Sequence, residues 1–275
     1  MSLPTGRRAE STVLTVFGAK GGIGKSTIAS NVAAAIARDT KRSVLIMDMD
    51  VRFGDVAIML GVDPDFTVAD MARRGGQVEP DALRRILYEH ESGCFVLPAP
   101  VHPSEWAEVS ADQIGQMVDL ATHAFDYVIL DTPGTFTDLV ATGLQVADTV
   151  LVISGLDMTS IKDTARMFDL LDAEGYPLER LSLVVNQVTP TQTVTLPDVA
   201  QILGQTVFWS IPYDEQVPLS IGRSLVMAKP RSRAAKQLRG LAAELCGLHQ
   251  AGSFEGGLLG RILPWRRGPS ERSAA

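Results

Sequence analysis

The sequence has 275 residues, of which 45% are apolar, with a mean hydropathy of +0.12 and a net charge of −7. This composition allows a packed core and excludes a wholly disordered chain, and its acidic balance argues against general nucleic-acid affinity in the body of the protein. The charge is uneven, because residues 229–275 carry nine Lys and Arg against three Glu, whereas residues 1–228 have a net charge of −13. We therefore expect a basic tail that contacts something anionic.

Cysteine usage and the N-terminus both favour a cytoplasmic protein. Cys94 and Cys246 are too few and too far apart for a disulfide framework or a metal cluster. The stretch MSLPTGRRAEST has no apolar run behind its arginines, so it is not a secretory signal. No apolar run approaches the roughly 20 residues that span a bilayer. We expect a soluble or peripheral protein.

Seven short apolar runs alternate with helical patterns along the chain. Because the runs do not alternate with polar residues, they read as strands buried on both faces. This order predicts an α/β fold, with a mostly parallel twisted sheet and helices on both faces. The predicted strands are 12–18, 43–48, 94–100, 126–131, 148–154, 180–186 and 206–212. The predicted helices are 25–38, 79–89, 110–123, 137–146, 159–173, 197–203 and 231–247.

The stretch AKGGIGKST, residues 19–27, lies between the first predicted strand and the first predicted helix, where a phosphate-binding loop belongs. Its glycines let backbone N–H groups turn toward phosphates, and the helix N-terminus adds a favourable dipole. Lys25 can reach the β- and γ-phosphates, and the Ser26 hydroxyl can hold Mg²⁺. Ala19 stands where the strict pattern has glycine. The expected cofactor-binding residues here are Gly21, Gly22, Ile23, Gly24, Lys25, Ser26 and Thr27.

The octapeptide KGGIGKST resembles the deviant Walker A motif of the MinD/ParA superfamily, K-G-G-x-G-K-[ST]-[ST], at every position. The resemblance implies a three-layer P-loop NTPase fold, Mg²⁺ and ATP as cofactors, and a homodimer with ATP sandwiched at its interface. It also implies that Lys20 is the signature lysine, which crosses the interface to the partner's nucleotide. Added positive charge there suits a loose phosphoryl-transfer transition state. Lys20 and Lys25 are therefore predicted to be catalytic.

Three aspartates lie at or just after the ends of predicted strands. Asp48 and Asp50, two residues apart at a strand end, point the same way, and one of them can orient a water or support Mg²⁺. The resemblance places Asp50 beside the attacking water, as a catalytic residue, and gives Asp48 a part in Mg²⁺ binding. Asp131 ends the run YVILD and reads as a Walker B carboxylate that holds water on Mg²⁺. A solvated turn is the alternative for the Asp48 and Asp50 pair.

Two later segments match the adenine-binding end of the superfamily. Asn186, after the run LSLVV, matches an asparagine that faces the adenine, since an amide can donate and accept at a base edge. The segment IPYDEQVPLSIGRSLV resembles the late segment that closes over the base, with Pro212, Tyr213 and Asp214 as the candidate residues. For both segments the alternative is an ordinary turn at a strand end.

Within the superfamily, three segments look most like the CpaE/TadZ branch, which is associated with the assembly of Flp/Tad-type pili. They are residues 48–71, 96–106 and 147–171. The resemblance implies a dimerising switch ATPase that positions or assembles a pilus or secretion system, with slow hydrolysis resetting the dimer and a protein partner in that machinery.

Composition divides the chain into a flexible N-terminus (1–11), an ATPase domain (12–249) and a Gly- and Arg-rich tail (250–275). Apolar residues spaced along 254–263 predict an amphipathic helix that could attach the protein to a membrane surface, at the cytoplasmic face of the inner membrane. Two such tails in a dimer would raise avidity. The alternatives are a disordered tail and a strip docked on the protein itself.

Competing functions share much of this chemistry. A ParA-type DNA-segregation ATPase needs a basic stripe, which one cluster after the last strand could supply. Its members are Lys229, Arg231, Arg233, Lys236 and Arg239. A nucleotide-binding scaffold without turnover is a further alternative, and the complete loop counts against it. An iron–sulfur reductase would need cysteines near the segment that follows Asp131, and neither cysteine lies there.

Overall fold

The computed structural model describes residues 11–50, 54–63, 65–75 and 78–248. Within these ranges the chain forms an eight-stranded sheet in the order β3-β4-β2-β5-β1-β6-β7-β8. Neighbouring strands are parallel except β3 and β4, which confirms the predicted mostly parallel sheet. The strands are β1 (Thr12–Phe17), β2 (Val44–Asp48), β3 (Tyr88–Glu89), β4 (Cys94–Leu97), β5 (Tyr127–Asp131), β6 (Thr149–Ser154), β7 (Leu181–Val188) and β8 (Val207–Pro212).

Helices connect most of the strands. They are α1 (Lys25–Thr40), α2 (Val56–Leu60), α3 (Val68–Arg74), α4 (Pro80–Ile86), α5 (Ala111–Ala124), α6 (Asp138–Val146), α7 (Met158–Ala173), α8 (Leu196–Leu203), α9 (Leu225–Ala228) and α10 (Arg233–Leu245). Short 3₁₀ turns occur at Pro103–Glu108, Leu178–Arg180 and Pro218–Ser220.

The sheet is covered on both faces, because successive strand residues point to opposite sides. In β1, Leu14 and Val16 join a core beneath α1, α2, α9 and α10. Val13 and Phe17 point the other way, into two cores covered by α3 to α5 and by α6 to α8. The three-layer α/β architecture is thus confirmed, and it places the ends of β1, β2, β5, β6 and β7 along one edge.

The expectation of a helix over 79–89 is wrong at its C-terminal end. Helix α4 ends at Ile86, and Tyr88–Glu89 pairs with β4 as an antiparallel strand. The reason is a tight turn, in which the Gly93 N–H donates to the His90 carbonyl (2.7 Å) and Gly93 has a φ of +87°. Glycine adopts that backbone conformation at little cost, so the chain reverses there instead of continuing the helix.

Two helices between β2 and β4 are absent from the sequence prediction. Helix α3 begins with a capping box. The Asp70 N–H donates to the Thr67 side chain, and the Thr67 N–H donates to the Asp70 carboxylate. Helix α2 has five residues and packs on α1. Elements this short carry too little periodicity for a pattern of apolar residues to reveal them.

The segment that follows β8 crosses to α9 and is tied to α2. The N–H groups of Gly222 and Ser224 both donate to the Met59 carbonyl, at 3.1 and 3.3 Å. The backbones touch so closely that a Cβ added at Gly61 would lie 2.2 Å from the Gly222 carbonyl oxygen. We call residues 213–224 the crossing segment.

Ser11, placed in the flexible N-terminus by the sequence, is buried, and its hydroxyl donates to the Phe125 carbonyl at 2.9 Å. Residues 1–10 and 249–275, including the predicted amphipathic helix at 254–263, lie outside the described residues. Among the residues that are described, no helix is both long and apolar enough to pass through a membrane.

Candidate functional site: a phosphate loop between two sets of charged side chains

The loop from Gly18 to Gly24 joins β1 to α1 and presents an open tip. Gly22 and Gly24 have φ values of +74° and +92°, which only glycine adopts readily. A Cβ added at Gly21 or Gly22 would meet no atom within 4 Å, whereas one at Gly18 would lie 2.6 Å from the Ile153 carbonyl oxygen. The base of the loop is therefore packed on β6, and its tip is accessible to a ligand.

Lys25 is folded back into this loop. Its side chain is buried, and Nζ donates to the Lys20 carbonyl at 3.1 Å. Burial lowers the pKa of Lys25, and the carboxylates of Asp131 and Asp50 oppose that change. The ammonium lies 3.4 Å from where a Cβ at Gly134 would stand, so the segment after β5 lies against it. A buried cation between a loop of backbone N–H groups and two carboxylates can bind phosphate.

Asp131, at the end of β5, is buried with both carboxylate oxygens unsatisfied among the described residues. Burial and the neighbouring Asp48 raise its pKa well above the usual value. The Ser26 hydroxyl is near enough to lower this pKa but makes no hydrogen bond of good geometry with either oxygen. A buried carboxylate without donors, beside a serine hydroxyl, fits Mg²⁺, which prefers hard oxygen ligands.

Asp48 pairs in register with Asp131 on the neighbouring strand and is fully buried. Its two oxygens accept the backbone N–H groups of Asp50 (3.0 Å) and Val56 (3.1 Å). Burial raises the pKa of Asp48 to about 7, and Asp50 and Asp55 add to the effect while the two hydrogen bonds oppose it. Asp48 therefore holds the loop that follows β2, a contact that the sequence did not predict.

Asp50 lies at the same edge of the sheet as the other two aspartates. Its carboxylate is close enough to raise the pKa of Lys25 and that of Asp48. The structure thus brings Asp48, Asp50 and Asp131 together beside the buried lysine, as the sequence order of strands and carboxylates suggested.

The Lys20 side chain extends from the phosphate loop to two neighbouring side chains. Its Nζ donates to Asp157 Oδ1 and to Thr159 Oγ1, both at 2.8 Å, at the start of α7. Asp157 also caps α7 by accepting the Ser160 N–H. Partial burial raises the pKa of Asp157. The hydrogen bonds from Lys20, Ser160 and Thr159 outweigh this effect and hold the pKa well below its usual value. The ion pair is exposed, and such pairs contribute about 0–1 kcal/mol to stability.

Asn186, on β7, lies on the same side of the loop as Asp157. It is buried, and its Nδ2 donates to the Ile23 carbonyl at 2.7 Å. A polar cleft next to it is lined by the loop tip, by Gly155 to Asp157 and by Gln187 and Gln192. The predicted base-binding asparagine is therefore in contact with the phosphate loop itself.

The remaining predicted residues lie at the end of β8, the strand next to β7. Pro212 is its last residue, and the side chain of Tyr213 is half exposed. Asp214 accepts the N–H groups of Gln216 and Ala234, both at 3.0 Å, and so fixes the start of α10. Slight burial raises the pKa of Asp214, but these hydrogen bonds outweigh it and lower the pKa. The Asp214 carboxylate is thus committed to backbone groups.

Asp157 and Thr159 are the functional candidates that sequence reasoning missed. Asp157 comes three residues after β6, and charged side chains that follow parallel strands converge on one edge. The rule that selected Asp131 would therefore have selected Asp157 as well. Its contact with Lys20, 137 residues earlier, depends on the fold and has no local signal.

Comparison with known proteins agrees with this geometry. Residues 14–226 match the model of the CobQ/CobB/MinD/ParA nucleotide binding domain family. Among curated proteins, the septum site-determining protein MinD of Synechocystis sp. is 26% identical over 244 residues, covering 86% of this chain and 89% of that protein.

Two solved structures share the fold. A ParA family ATPase from Chlorobium tepidum has a TM-score of 0.81 and 21% identity, covering 86% of this chain and all of that one. The septum site-determining protein MinD from Pyrococcus horikoshii, complexed with Mg-ADP, has a TM-score of 0.74 and 19% identity. The match covers 86% of this chain and 96% of that one. With the family model matched over most of its length, this chain belongs to the CobQ/CobB/MinD/ParA nucleotide binding domain family.

Proposed function

We propose that the protein is a Mg²⁺-dependent ATPase that acts as a dimerising switch. It binds ATP with the loop tip, with Lys25 on the β- and γ-phosphates and with Ser26 and Asp131 on the metal. Mg²⁺ supplies charge neutralisation at the phosphates, while Asp50 orients the attacking water. Asn186, Pro212 and Tyr213 form the base-binding end, and Asp48 and Asp214 hold the surrounding loops.

The observation that carries this proposal is the position of Lys20. One lysine of the loop, Lys25, is buried within it, whereas the other extends to the exposed edge at Asp157. A cation at the rim can reach a nucleotide bound by a second copy of the chain, and in doing so it would exchange Asp157 for phosphate. Such a cation supplied in trans stabilises the charge of the transition state.

Mixing of two inactive variants tests the trans role. Lys20→Ala leaves a site with its own Asp50, and Asp50→Ala leaves a chain that still provides Lys20. In an equal mixture, half of the dimers are mixed and hold one complete site, so we expect about a quarter of wild-type turnover. Each variant alone should show almost none. A mixture as inactive as its components would contradict the trans role.

Dimerisation itself is tested by light scattering after size-exclusion chromatography. We expect monomers with ADP, and dimers with ATP for Asp50→Ala, which retains the triphosphate. Monomers under both conditions would contradict the switch.

We further propose that the switch acts in the assembly or positioning of a pilus or secretion system, as in the CpaE/TadZ branch, at the cytoplasmic face of the membrane. The support is the likeness of three segments to that branch and the apolar spacing at 254–263. Liposome co-sedimentation with ATP, comparing the full chain with one that ends at residue 250, tests the membrane contact. Equal sedimentation of the two chains would show that residues 251–275 do not attach the protein to the membrane.

DNA segregation is the second candidate, and one observation favours it. The five cationic side chains between Lys229 and the end of α10 are all exposed, although Arg239 is paired with Asp39 at 2.7 Å. They are Lys229, Arg231, Arg233, Lys236 and Arg239. An ATP-dependent shift of non-specific duplex DNA that weakens steeply with salt would support this function over the first.

A further inference from the structure

Asn186 makes a contact that base recognition does not require. Its Nδ2 lies 2.7 Å from the carbonyl oxygen of Ile23, in the middle of the phosphate loop, although the two residues are 163 positions apart. The same nitrogen would lie 2.4 Å from a Cβ at Gly24, so the amide fills the space beside that glycine. Gly21 and Gly22, by contrast, have open space around them. The loop therefore has one braced side and one open side.

The backbone around Asn186 is shaped for this contact. The pairing of β7 with β8 is irregular between Val185 and Val188, and Gln187 has a φ of +57°. A bulge of this kind redirects a side chain, and a non-glycine residue in the left-handed region persists only where the surrounding structure holds it. Strand β7 thus departs from regular geometry next to Asn186, whose side chain contacts the phosphate loop.

The chemistry of the contact fixes which end of the amide is used. A carbonyl oxygen accepts hydrogen bonds only, so the NH₂ group faces Ile23. The structure gives the Asn186 Oδ1 no donor among the described residues. The acceptor end is thus left for a ligand, while the donor end is committed to the loop.

We propose that Asn186 is a positioning residue for phosphate binding, which holds the phosphate loop in its binding shape before the nucleotide arrives. This inference rests on the proposed nucleotide-binding function. It differs from a contact with the base alone, because it requires Asn186 to contribute to the binding of a ligand that has no base.

Inorganic tripolyphosphate with Mg²⁺ is the probe that separates the two roles, and its affinity is measured by competition with a fluorescent ATP analogue. We expect Asn186→Ala to weaken tripolyphosphate about five- to tenfold, the size of one lost hydrogen bond, and to weaken ATP by at least the same factor, because ATP also loses the contact with its base. Gln201→Ala is the control, because Gln201 is exposed on α8 and does not line the cleft. It should change tripolyphosphate affinity less than about twofold. Thermal melting of each variant monitors folding.

A second set of variants tests the packing at Gly24. Gly24→Ala adds a methyl group against Asn186, and Gly22→Ala adds one in open space at a similar positive φ. We expect Gly24→Ala to lose more tripolyphosphate affinity than Gly22→Ala. The double variant Gly24→Ala/Asn186→Ala should recover part of that extra loss, because the alanine makes room.

The outcomes separate this inference from the proposed function. A loss confined to ATP in Asn186→Ala overturns the positioning role while ATP binding by the wild type stands. Equal losses of tripolyphosphate affinity in Gly24→Ala and Gly22→Ala would contradict the packing of the amide against Gly24. Wild-type protein that binds neither ATP nor tripolyphosphate overturns both.

Discussion

On the side of β6 and β7, the polar groups around the phosphate loop are paired: Lys20 with Asp157, and the Asn186 amide with Ile23. On the side of β2 and β5, the Asp131 carboxylate is buried with neither oxygen bonded among the described residues. We call these the paired flank and the acidic flank. Both come from parallel strands that end at the same edge, so the difference lies in the side chains.

The difference shows what each flank requires from a ligand. The paired flank has its hydrogen bonds in the isolated chain, so its shape does not depend on an occupant. The acidic flank carries a desolvated carboxylate, which is unfavourable until a cation or a proton compensates it. Ligand binding should therefore change the stability of the acidic flank far more than that of the paired flank.

Replacing Lys25 should have the largest effect, because this side chain touches both flanks. Its ammonium donates to the Lys20 carbonyl and faces Asp131. We expect Lys25→Ala to weaken ATP at least about 100-fold, the loss of a buried charge-assisted hydrogen bond and a phosphate contact. Titration with a fluorescent ATP analogue measures this. Lys162→Ala, an exposed change on α7, is the control. Comparable ATP affinities in Lys25→Ala and Lys162→Ala would contradict the assignment of Lys25 to phosphate binding.

Lys20→Ala sharpens the comparison by removing a cation from the paired flank only. The rate of hydrolysis should fall about 100-fold, typical for a lost transition-state charge contact, while ATP affinity changes less than about threefold. Steady-state phosphate release and the same titration give both values. A large loss of affinity would mean that Lys20 binds the nucleotide of its own chain.

The acidic flank predicts a pH dependence. Burial raises the pKa of Asp48 to about 7 and that of Asp131 in the same direction, so the folded state binds more protons than the unfolded chain. The stability of the metal-free protein should therefore fall as pH rises from the unfolded carboxyl value toward 7. Relative to Asp131→Asn, we expect the wild-type Tm to drop by about 2–8 °C between pH 5.5 and 8.

Thermal melts in EDTA measure this difference, and Asp172→Asn, an exposed change on α7, serves as the control. Added Mg²⁺ and ATP should reduce the dependence. A wild-type protein that is no more pH-sensitive than Asp131→Asn would show that the buried carboxylates do not carry the effect.

The smallest effect is expected at Asp157. Asparagine can still accept the Ser160 N–H and cap α7, so Asp157→Asn removes the exposed ion pair and should cost less than about 1 kcal/mol. Asp157→Ala also removes the cap and should cost about 1 kcal/mol more. Urea unfolding compares the two. A cost for Asp157→Asn as large as that for alanine would show that the ion pair, rather than the cap, stabilises the paired flank.

Sequence reasoning recovered the parts of the molecule that depend on local pattern. The parallel strands are buried on both faces and read as continuous apolar runs, and the loop from Gly18 to Gly24 carries its glycines and lysine at a fixed spacing. Because parallel strands end at one edge, Asp48 and Asp131 could be placed together without coordinates.

What could not be predicted depends on contacts between distant parts of the chain. The sequence does not show that the Asp48 oxygens accept two N–H groups of the following loop, or that Lys20 meets Asp157. The sequence pattern predicts helix at Tyr88–Glu89, because two residues carry no periodicity and their pairing with β4 is a tertiary contact. In each case the residue that makes the contact is too far away in the sequence for a local pattern to reveal it.

The crossing segment, finally, has a mechanical consequence. It begins at Tyr213, within the proposed base-binding end, and is hydrogen-bonded to Met59 in α2, the helix that follows the loop bearing Asp50. Lengthening or shortening it by a residue would pull on both places at once. An inserted tag or label should therefore be tolerated poorly here and far better in the exposed turn after α7.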